Sequence, residues 1–144
     1  MKIEKLETKQ DIMNRIYIDN GLVESDLHED KRGFKYVKRE GIEKIIDKRN
    51  IQVHLELKLC NLGMPEGRDN VVIMATGKMG NKMIQSFGSA NDKSCNTFQQ
   101  KIMVEMAEKR AKARCVLQLA GLYKANIKSE DEFDSMQPVN SLKK

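Results

Sequence analysis

The nine residues IQVHLELKL, at positions 51–59, alternate apolar and polar side chains with a period of two. This pattern is typical of a strand that is buried on one face. Residues 71–78 and 82–87 predict two further strands. The Gly80-Asn81 dipeptide between them favours a tight turn, so these two strands are expected to pair as a hairpin.

Helical signals lie on both sides of the strands. Residues 8–19 predict a first helix, which Thr8 caps and Asn20-Gly21 ends. Residues 39–49 predict a second helix, with its isoleucines on one face. A long third helix is expected from near Thr97 to about Leu122, because the segment is rich in good helix formers.

This order of elements predicts an α+β fold, in which an antiparallel three-stranded β-sheet containing the hairpin packs on one long C-terminal helix, with N-terminal helices before it. Residues 24–32, 60–70 and 88–96 are expected to be loops, and residues 33–38 a strand or an extended lead-in. The tail, residues 125–144, is expected to be mostly disordered. A chain of 144 residues fits one domain.

Charge is unevenly distributed along the chain. The net charge of +5 divides into −4 over residues 1–30, +10 over residues 31–124 and −1 over residues 125–144. These segments are expected to be an acidic N-terminal helix and loop, a basic α+β DNA-binding domain and an acidic tail, with a polyanion as partner. The alternative is chance clustering on a solvated surface.

Three cations of the long helix lie in or beside its apolar arc when the helix is projected at about 100° per residue. They are Lys109, Arg110 and Arg114. A guanidinium in that position must be paired or must face a groove that an anion fills. Structural ion pairs, or side chains that extend past small neighbours to water, are the alternatives. Alanines at 107, 111 and 113 favour the groove.

A second basic site is predicted at residues 31–39, which we call the basic block. Its cations alternate with aromatic rings, a composition that suits single-stranded nucleic acid because cations neutralise phosphates and rings stack on bases. The alternative is that the rings belong to the core. The cations are Lys31, Arg32, Lys35, Lys38 and Arg39, and the rings are Phe34 and Tyr36.

Catalytic and metal signals are weak. The three cysteines form no CxxC pair, so we expect free thiols and no metal site. No phosphate-binding loop is present. Glu56 and Lys58 form an ExK pattern on a strand, which leaves a metal-dependent DNA nuclease as the alternative function. We otherwise expect no catalysis and no cofactor.

No apolar run is long enough for a membrane span and no secretory signal is evident, so we expect a cytoplasmic protein without a membrane partner.

Several motifs, in order, resemble phage and mobile-element single-strand annealing proteins of the Rad-fifty-two-like superfamily, the group that includes the Sak, Erf and Red-beta types. Tyr36-Val37-Lys38-Arg39-Glu40-Gly41 is similar to an N-terminal block of that group. The later motifs are Gly88-Ser89-Ala90, the run Met106-Ala107-Glu108-Lys109-Arg110-Ala111-Lys112-Ala113-Arg114, Leu119-Ala120-Gly121-Leu122-Tyr123 and Ser129-Glu130-Asp131-Glu132. The resemblance spans roughly residues 33–134.

The resemblance implies a β-hairpin sheet over a long helix, assembled into rings or helical filaments. It implies that basic residues of that helix line a groove for the DNA backbone, at positions that match Lys109, Arg110 and Arg114. It further implies a non-catalytic protein that anneals complementary single strands in phage recombination and repair, in a bacterial host cytoplasm. A phage exonuclease or a single-strand-binding protein would be a further partner. We expect no large C-terminal partner-binding domain of the kind that such proteins have.

Overall fold

The computed structural model of this chain describes residues 8–29, 31–32, 35–63, 65, 69–91, 93, 95, 97–123 and 127–129. Its elements are α1 (Lys9–Asp19), a 3₁₀ turn (Glu24–Asp26), β1 (Leu27–Glu29), β2 (Lys35–Val37), α2 (Arg39–Arg49), β3 (Gln52–Asn61), β4 (Asn70–Met79), β5 (Lys82–Asn91), α3 (Thr97–Gln100), α4 (Met103–Leu119) and β6 (Lys128–Ser129). The fold is α+β, as predicted. None of the helices in these ranges is long and apolar enough to cross a membrane.

The first two helices confirm the sequence prediction. Thr8 accepts a hydrogen bond from the Asp11 amide and Asp11 accepts one from the Thr8 amide, which makes a capping box at the start of α1. Helix α2 ends at Asn50, which has the left-handed conformation (φ 54°, ψ 53°) that asparagine tolerates.

Strands β3, β4 and β5 form one antiparallel sheet in that order. The hairpin between β4 and β5 is confirmed, and Gly80 has the positive φ of 61° that its turn requires. Strand β5 continues to Asn91, so the expected loop over residues 88–96 is wrong in its first part. A bulge shifts the register of β3 between Leu57 and Leu59.

One face of this sheet packs on α4, and two glycines set how close the helix comes. A Cβ atom at Gly88 would lie 2.5 Å from the Ala107 carbonyl oxygen and would overlap the Ala111 amide. At Gly77 it would overlap Cys115 Sγ and lie 2.7 Å from Leu119 Cδ1. The helix backbone therefore rests directly on β5 at Gly88.

The long C-terminal helix is shorter than expected. Ile102 leaves the helical conformation (φ −129°, ψ 44°), so α3 is a separate turn and α4 begins at Met103. The Gln100 side chain donates a hydrogen bond to the Cys95 carbonyl, which holds α3 to the preceding loop. Gly121, with φ 84°, follows the end of α4.

A second sheet, in the order β1-β2-β6, was not predicted. Strand β1 lies within residues expected to be a loop, and β6 lies within the tail that was expected to be disordered. Lys128 and Ser129 of β6 pair in parallel with Tyr36 and Val37 of β2. Ile127 and Ser129 are each 1% exposed, and this burial explains why the short segment has a defined structure. The rest of the tail lies outside the described residues.

A buried carboxylate, that of Asp26, links the 3₁₀ turn before β1 to helix α2. Asp26 accepts hydrogen bonds from Lys44 Nζ at 2.8 Å and from the Val23 amide at 2.9 Å. Burial alone would raise the pKa of Asp26, but its contacts with Lys44 and the Val23 amide leave that pKa below its ordinary value. Tyr17, Leu22 and Ile127 join the same hydrophobic core as β4 and α4, so all three charge segments contribute to one core.

We expect Gly88→Ala to lower the free energy of unfolding by about 1–3 kcal/mol or more, because the new methyl group meets helix backbone that cannot rotate away. Urea denaturation measures this change. Ser89→Ala, at the next and exposed position of β5, is the matched control and should change it by less than about 0.5 kcal/mol. Equal stability of Gly88→Ala and wild type would show that α4 does not rest on β5 as described.

Candidate functional site

Arg110 lies in the interior, where it is 3% exposed. Its Nη1 donates a hydrogen bond to the Ser89 carbonyl at 2.8 Å and contacts Cys95 Sγ at 3.9 Å. The guanidinium is therefore used to hold β5 and the following loop against α4. In this conformation the burial favours the structural alternative for Arg110 over a contact with phosphate.

Arg114 lies one turn further along α4, at the edge of the same strand. Its Nη1 donates a hydrogen bond to the Phe87 carbonyl at 2.9 Å. The two arginines therefore bind carbonyls two residues apart on β5, which is an edge strand of its sheet. Arg114 is only half-buried, in contrast to Arg110. Of the two, Arg114 is the one that an external anion could approach.

Lys109 does not join this pair. Lys109 precedes Arg114 by five positions, so the two side chains point about 140° apart around the helix axis. It lies one turn before Lys112, whose Nζ forms a 2.7 Å ion pair with Glu43 of α2. The three predicted helix cations therefore do not lie together: Arg110 is in the interior, Arg114 is at the β5 edge, and Lys109 is on another side of α4 from Arg114.

The face of the β3-β4-β5 sheet that points away from α4 is largely exposed. Phe87 is 50% exposed and Met83 is 66% exposed on β5. Met74 pairs with Phe87 across the strands and lies on the same face. The charged residues of this face are Lys78, which pairs with Met83, and the ion pair of Glu56 with Lys58, whereas Lys82 donates a hydrogen bond to the Leu119 carbonyl at the end of α4. We call this surface, together with Arg114 at its edge, the open sheet face.

The basic block divides between the core and the surface. Tyr36 is 5% exposed and belongs to the core, so its ring does not offer a stacking surface. Lys31 and Arg39 are exposed, and Lys38 is half-buried. Phe34 lies outside the described residues.

Polar groups of the protein lie close to Lys35 and to Arg32 of the block. Lys35 Nζ lies 3.8 Å from Glu24 Oε1. Arg32 Nη2 donates a hydrogen bond to the Tyr36 hydroxyl at 3.3 Å. The surface of the block is therefore cationic at both ends, residues 31–32 and 38–39, around a core-packed centre.

Glu56 and Lys58, the residues of the nuclease alternative, form an exposed ion pair at 2.7 Å. The hydrogen bond from Lys58 and its charge hold the pKa of Glu56 below its ordinary value. Within the described ranges, no group of three or more His, Cys, Asp or Glu side chains is placed to hold a metal ion.

The cysteines are free thiols, as expected: Cys60 is exposed, whereas Cys95 and Cys115 are buried. Burial raises the pKa of the Cys115 thiol to about 11. Cys115 also donates a long hydrogen bond, 3.6 Å, to the Ile84 carbonyl. Its position between α4 and β5 explains why it is buried.

Phe87 is the residue of this surface that sequence reasoning missed. The signal is the alternation along β5, where Met83, Gln85 and Phe87 point away from α4 while Ser86 and Gly88 point toward it. Small residues at 88–90 concealed this period, because Gly and Ser are also typical of loops.

Comparisons with protein-family models, with curated proteins and with solved structures found no match to this chain.

We expect Arg110→Ala to lower the free energy of unfolding by about 2–3 kcal/mol, because it removes a buried guanidinium and its hydrogen bond to Ser89. Arg114→Ala, one turn away and partly exposed, is the matched control and should cost less than about 1 kcal/mol. Urea denaturation of both variants measures the difference. If both variants unfold at the wild-type urea concentration, the structural role of Arg110 is wrong.

Proposed function

We propose that this protein binds single-stranded DNA and anneals complementary strands, in recombination and repair of the phage type, without catalysing a reaction itself. It would act as a homo-oligomer, a ring or a filament. The observation that carries the proposal is the open sheet face, where Phe87 is 50% exposed and its backbone carbonyl accepts a hydrogen bond from Arg114 at the strand edge. A surface that offers a cation and an exposed ring suits a nucleotide, which has a phosphate and a flat base.

The charge of this surface supports the same partner. The described residues of this face include two lysines, Lys58 and Lys78, against one glutamate, and that glutamate is already paired with Lys58. Phosphates therefore meet little repulsion across the face. Its polar side chains are mostly uncharged amides and hydroxyls, which can donate hydrogen bonds to bases and accept them.

The arrangement of three antiparallel strands against α4 is also what the resemblance to single-strand annealing proteins implies. Lys109 and the exposed ends of the basic block would provide further phosphate contacts, on other sides of the molecule. Arg110 would support the site indirectly, since it fixes β5 against α4.

The small size of the surface supports the proposed oligomer. One open sheet face presents one exposed aromatic ring among its described residues, so each copy would hold only a few nucleotides. Linking many weak sites raises the overall affinity because the later contacts become intramolecular. A ring or filament would supply these sites along one strand.

We expect Arg114→Ala and Phe87→Ala to weaken binding to a fluorescent oligothymidine in different ways. Loss of Arg114 removes a phosphate contact and should reduce the log–log salt slope of affinity by about 0.7. Loss of the Phe87 ring removes base stacking and should cost about 1–3 kcal/mol without changing the slope. Fluorescence anisotropy across a salt series measures both.

Matched controls lie elsewhere on the surface. Lys48→Ala removes an exposed cation near the end of α2, and Ile18→Ala removes an apolar side chain that is 71% exposed on α1. Neither should alter binding appreciably. If these controls weaken binding as much as the site variants do, the open sheet face is not the DNA site.

The annealing activity is tested by mixing the protein with two complementary labelled oligonucleotides and following energy transfer between them, with light scattering in parallel. We expect an oligomer that accelerates annealing, and slower annealing with Phe87→Ala. A monomer that neither binds nor anneals would contradict the proposal. Magnesium-dependent cleavage that Glu56→Ala abolishes would establish the nuclease alternative instead.

A further inference from the structure

The backbone of strand β3 is open along the side that faces away from β4. In the order β3-β4-β5, β3 is an edge strand, with no second neighbour among the strands of the described residues. The two-residue turn makes Met79 and Lys82 a hydrogen-bonded pair, and such pairs recur at every second residue along β4 and β5. The intervening residues of β4 bond to β3. The register therefore directs the backbone N–H and C=O groups of Val53, Leu55 and Leu57 outward.

The two edges of this sheet differ in what they present. On β5, Arg110 and Arg114 donate hydrogen bonds to outward carbonyls. On β3, the outward positions carry apolar side chains, and Leu57 is 54% exposed although its register partner Ile73 is 3% exposed. Leu59, just beyond, is 39% exposed. Proteins commonly place charges on edges that stay unpaired, so β3 is the edge that suits pairing with another chain.

We propose that β3 pairs in antiparallel register with β3 of a second copy of this chain, about a two-fold axis at Leu55. Leu55 then lies opposite Leu55 of the second copy, and Val53 lies opposite Leu57 of the second copy. Each copy uses the same surface, as in an isologous dimer. The pairing does not depend on DNA binding, and it gives the proposed oligomer one defined interface.

The bulge in β3 selects this register. Regular pairing of β3 covers residues 52–57, because the register shifts between Leu57 and Leu59. Among antiparallel self-pairings, the one centred on Leu55 uses every outward residue of this regular part. A centre at Leu57 would instead place the bulge inside the new ladder, where it disrupts pairing.

The side chains are complementary in the same register. On the face toward α4, Val53, Leu55 and Leu57 would pack across the two-fold axis, and directly opposed apolar pairs stabilise a sheet. On the open sheet face, His54 would lie opposite Glu56 of the second copy, and an imidazole can donate a hydrogen bond to a carboxylate. This match of apolar with apolar and base with acid favours a second copy over an unrelated strand as the occupant.

The dimer would enlarge the open sheet face. Two three-stranded sheets would join into one of six strands, which is an ordinary size for a sheet. Because opposed residues point to the same face, the open sheet faces of the two copies would lie side by side. Larger assemblies would be built from dimers and would contain an even number of chains.

Disulfide cross-linking tests the register. Leu55→Cys and Leu57→Cys are each combined with Cys60→Ser, which removes the exposed native thiol, and are oxidised with glutathione disulfide in the absence of DNA. A hydrogen-bonded pair places its Cα atoms about 5.5 Å apart, within the range of a disulfide. We expect Leu55→Cys to form a cross-linked dimer. Leu57→Cys, more than about 13 Å from its counterpart, should form at least about tenfold less.

Sedimentation velocity over a range of protein concentrations, without DNA, tests the interface itself. Leu57→Lys places a charge in the apolar row opposite Val53 and should raise the dissociation constant of the dimer at least about tenfold. Ile18→Lys, the same kind of change at a 71% exposed position of α1, is the matched control and should raise it less than about twofold.

Four results would overturn the proposal: a wild-type monomer at every concentration, an assembly with an odd number of chains, equal dissociation constants for Leu57→Lys and Ile18→Lys, or preferred cross-linking of Leu57→Cys. If the cross-linked dimer forms but no variant binds oligothymidine, the pairing is supported and the proposed function is overturned. If the wild type anneals DNA while Leu57→Lys keeps the wild-type assembly, the pairing is wrong and the proposed function stands.

Discussion

The close approach of α4 to the sheet at Gly77 and Gly88 is the constraint on which the rest of the structure depends. Without side chains at these two positions, the helix backbone can lie against the strands, with small residues Ala107 and Ala111 facing Gly88. Protein interiors are close-packed, so an added methyl group at this contact has no space to occupy. The short distance is also what lets Arg110 and Arg114 reach the carbonyls of β5.

The hydrogen bonds from Arg110 and Arg114 protect two backbone carbonyls of the edge strand β5 from pairing with another chain. An edge strand presents open hydrogen-bonding groups that can pair with another chain, and proteins commonly block such edges with charged side chains. Here the helix itself supplies the blocking groups at Phe87 and Ser89. The two carbonyls at this edge of the sheet are therefore already hydrogen-bonded, while the outer face of the sheet remains exposed. A ligand on that face would contact side chains rather than backbone.

The sequence predicted the elements whose periodicity is strong and mispredicted those that depend on contacts between distant residues. Strand β3 and helix α2 were evident because each repeats its apolar positions with one clear period. The end of β5 was missed because glycine is typical of loops. Gly88 is needed in the strand because the backbone of α4 contacts it directly, and the sequence does not show that contact. Strand β6 was missed because two residues carry no period, and only their pairing with β2 makes them a strand.

The charges of the candidate site were also hard to place from the sequence, because their surroundings depend on contacts between distant residues. A helical projection placed Lys109, Arg110 and Arg114 near one apolar arc, but it could not say which elements surround each of them. The structure puts Arg110 in the core and Arg114 at the edge of β5, so the positive charge of the helix does not form one continuous strip. If the protein binds single strands as proposed, a surface with so few rings would hold bases weakly while its cations would hold the backbone. That division suits a protein that must release bases to a complementary strand, because firm stacking would compete with pairing.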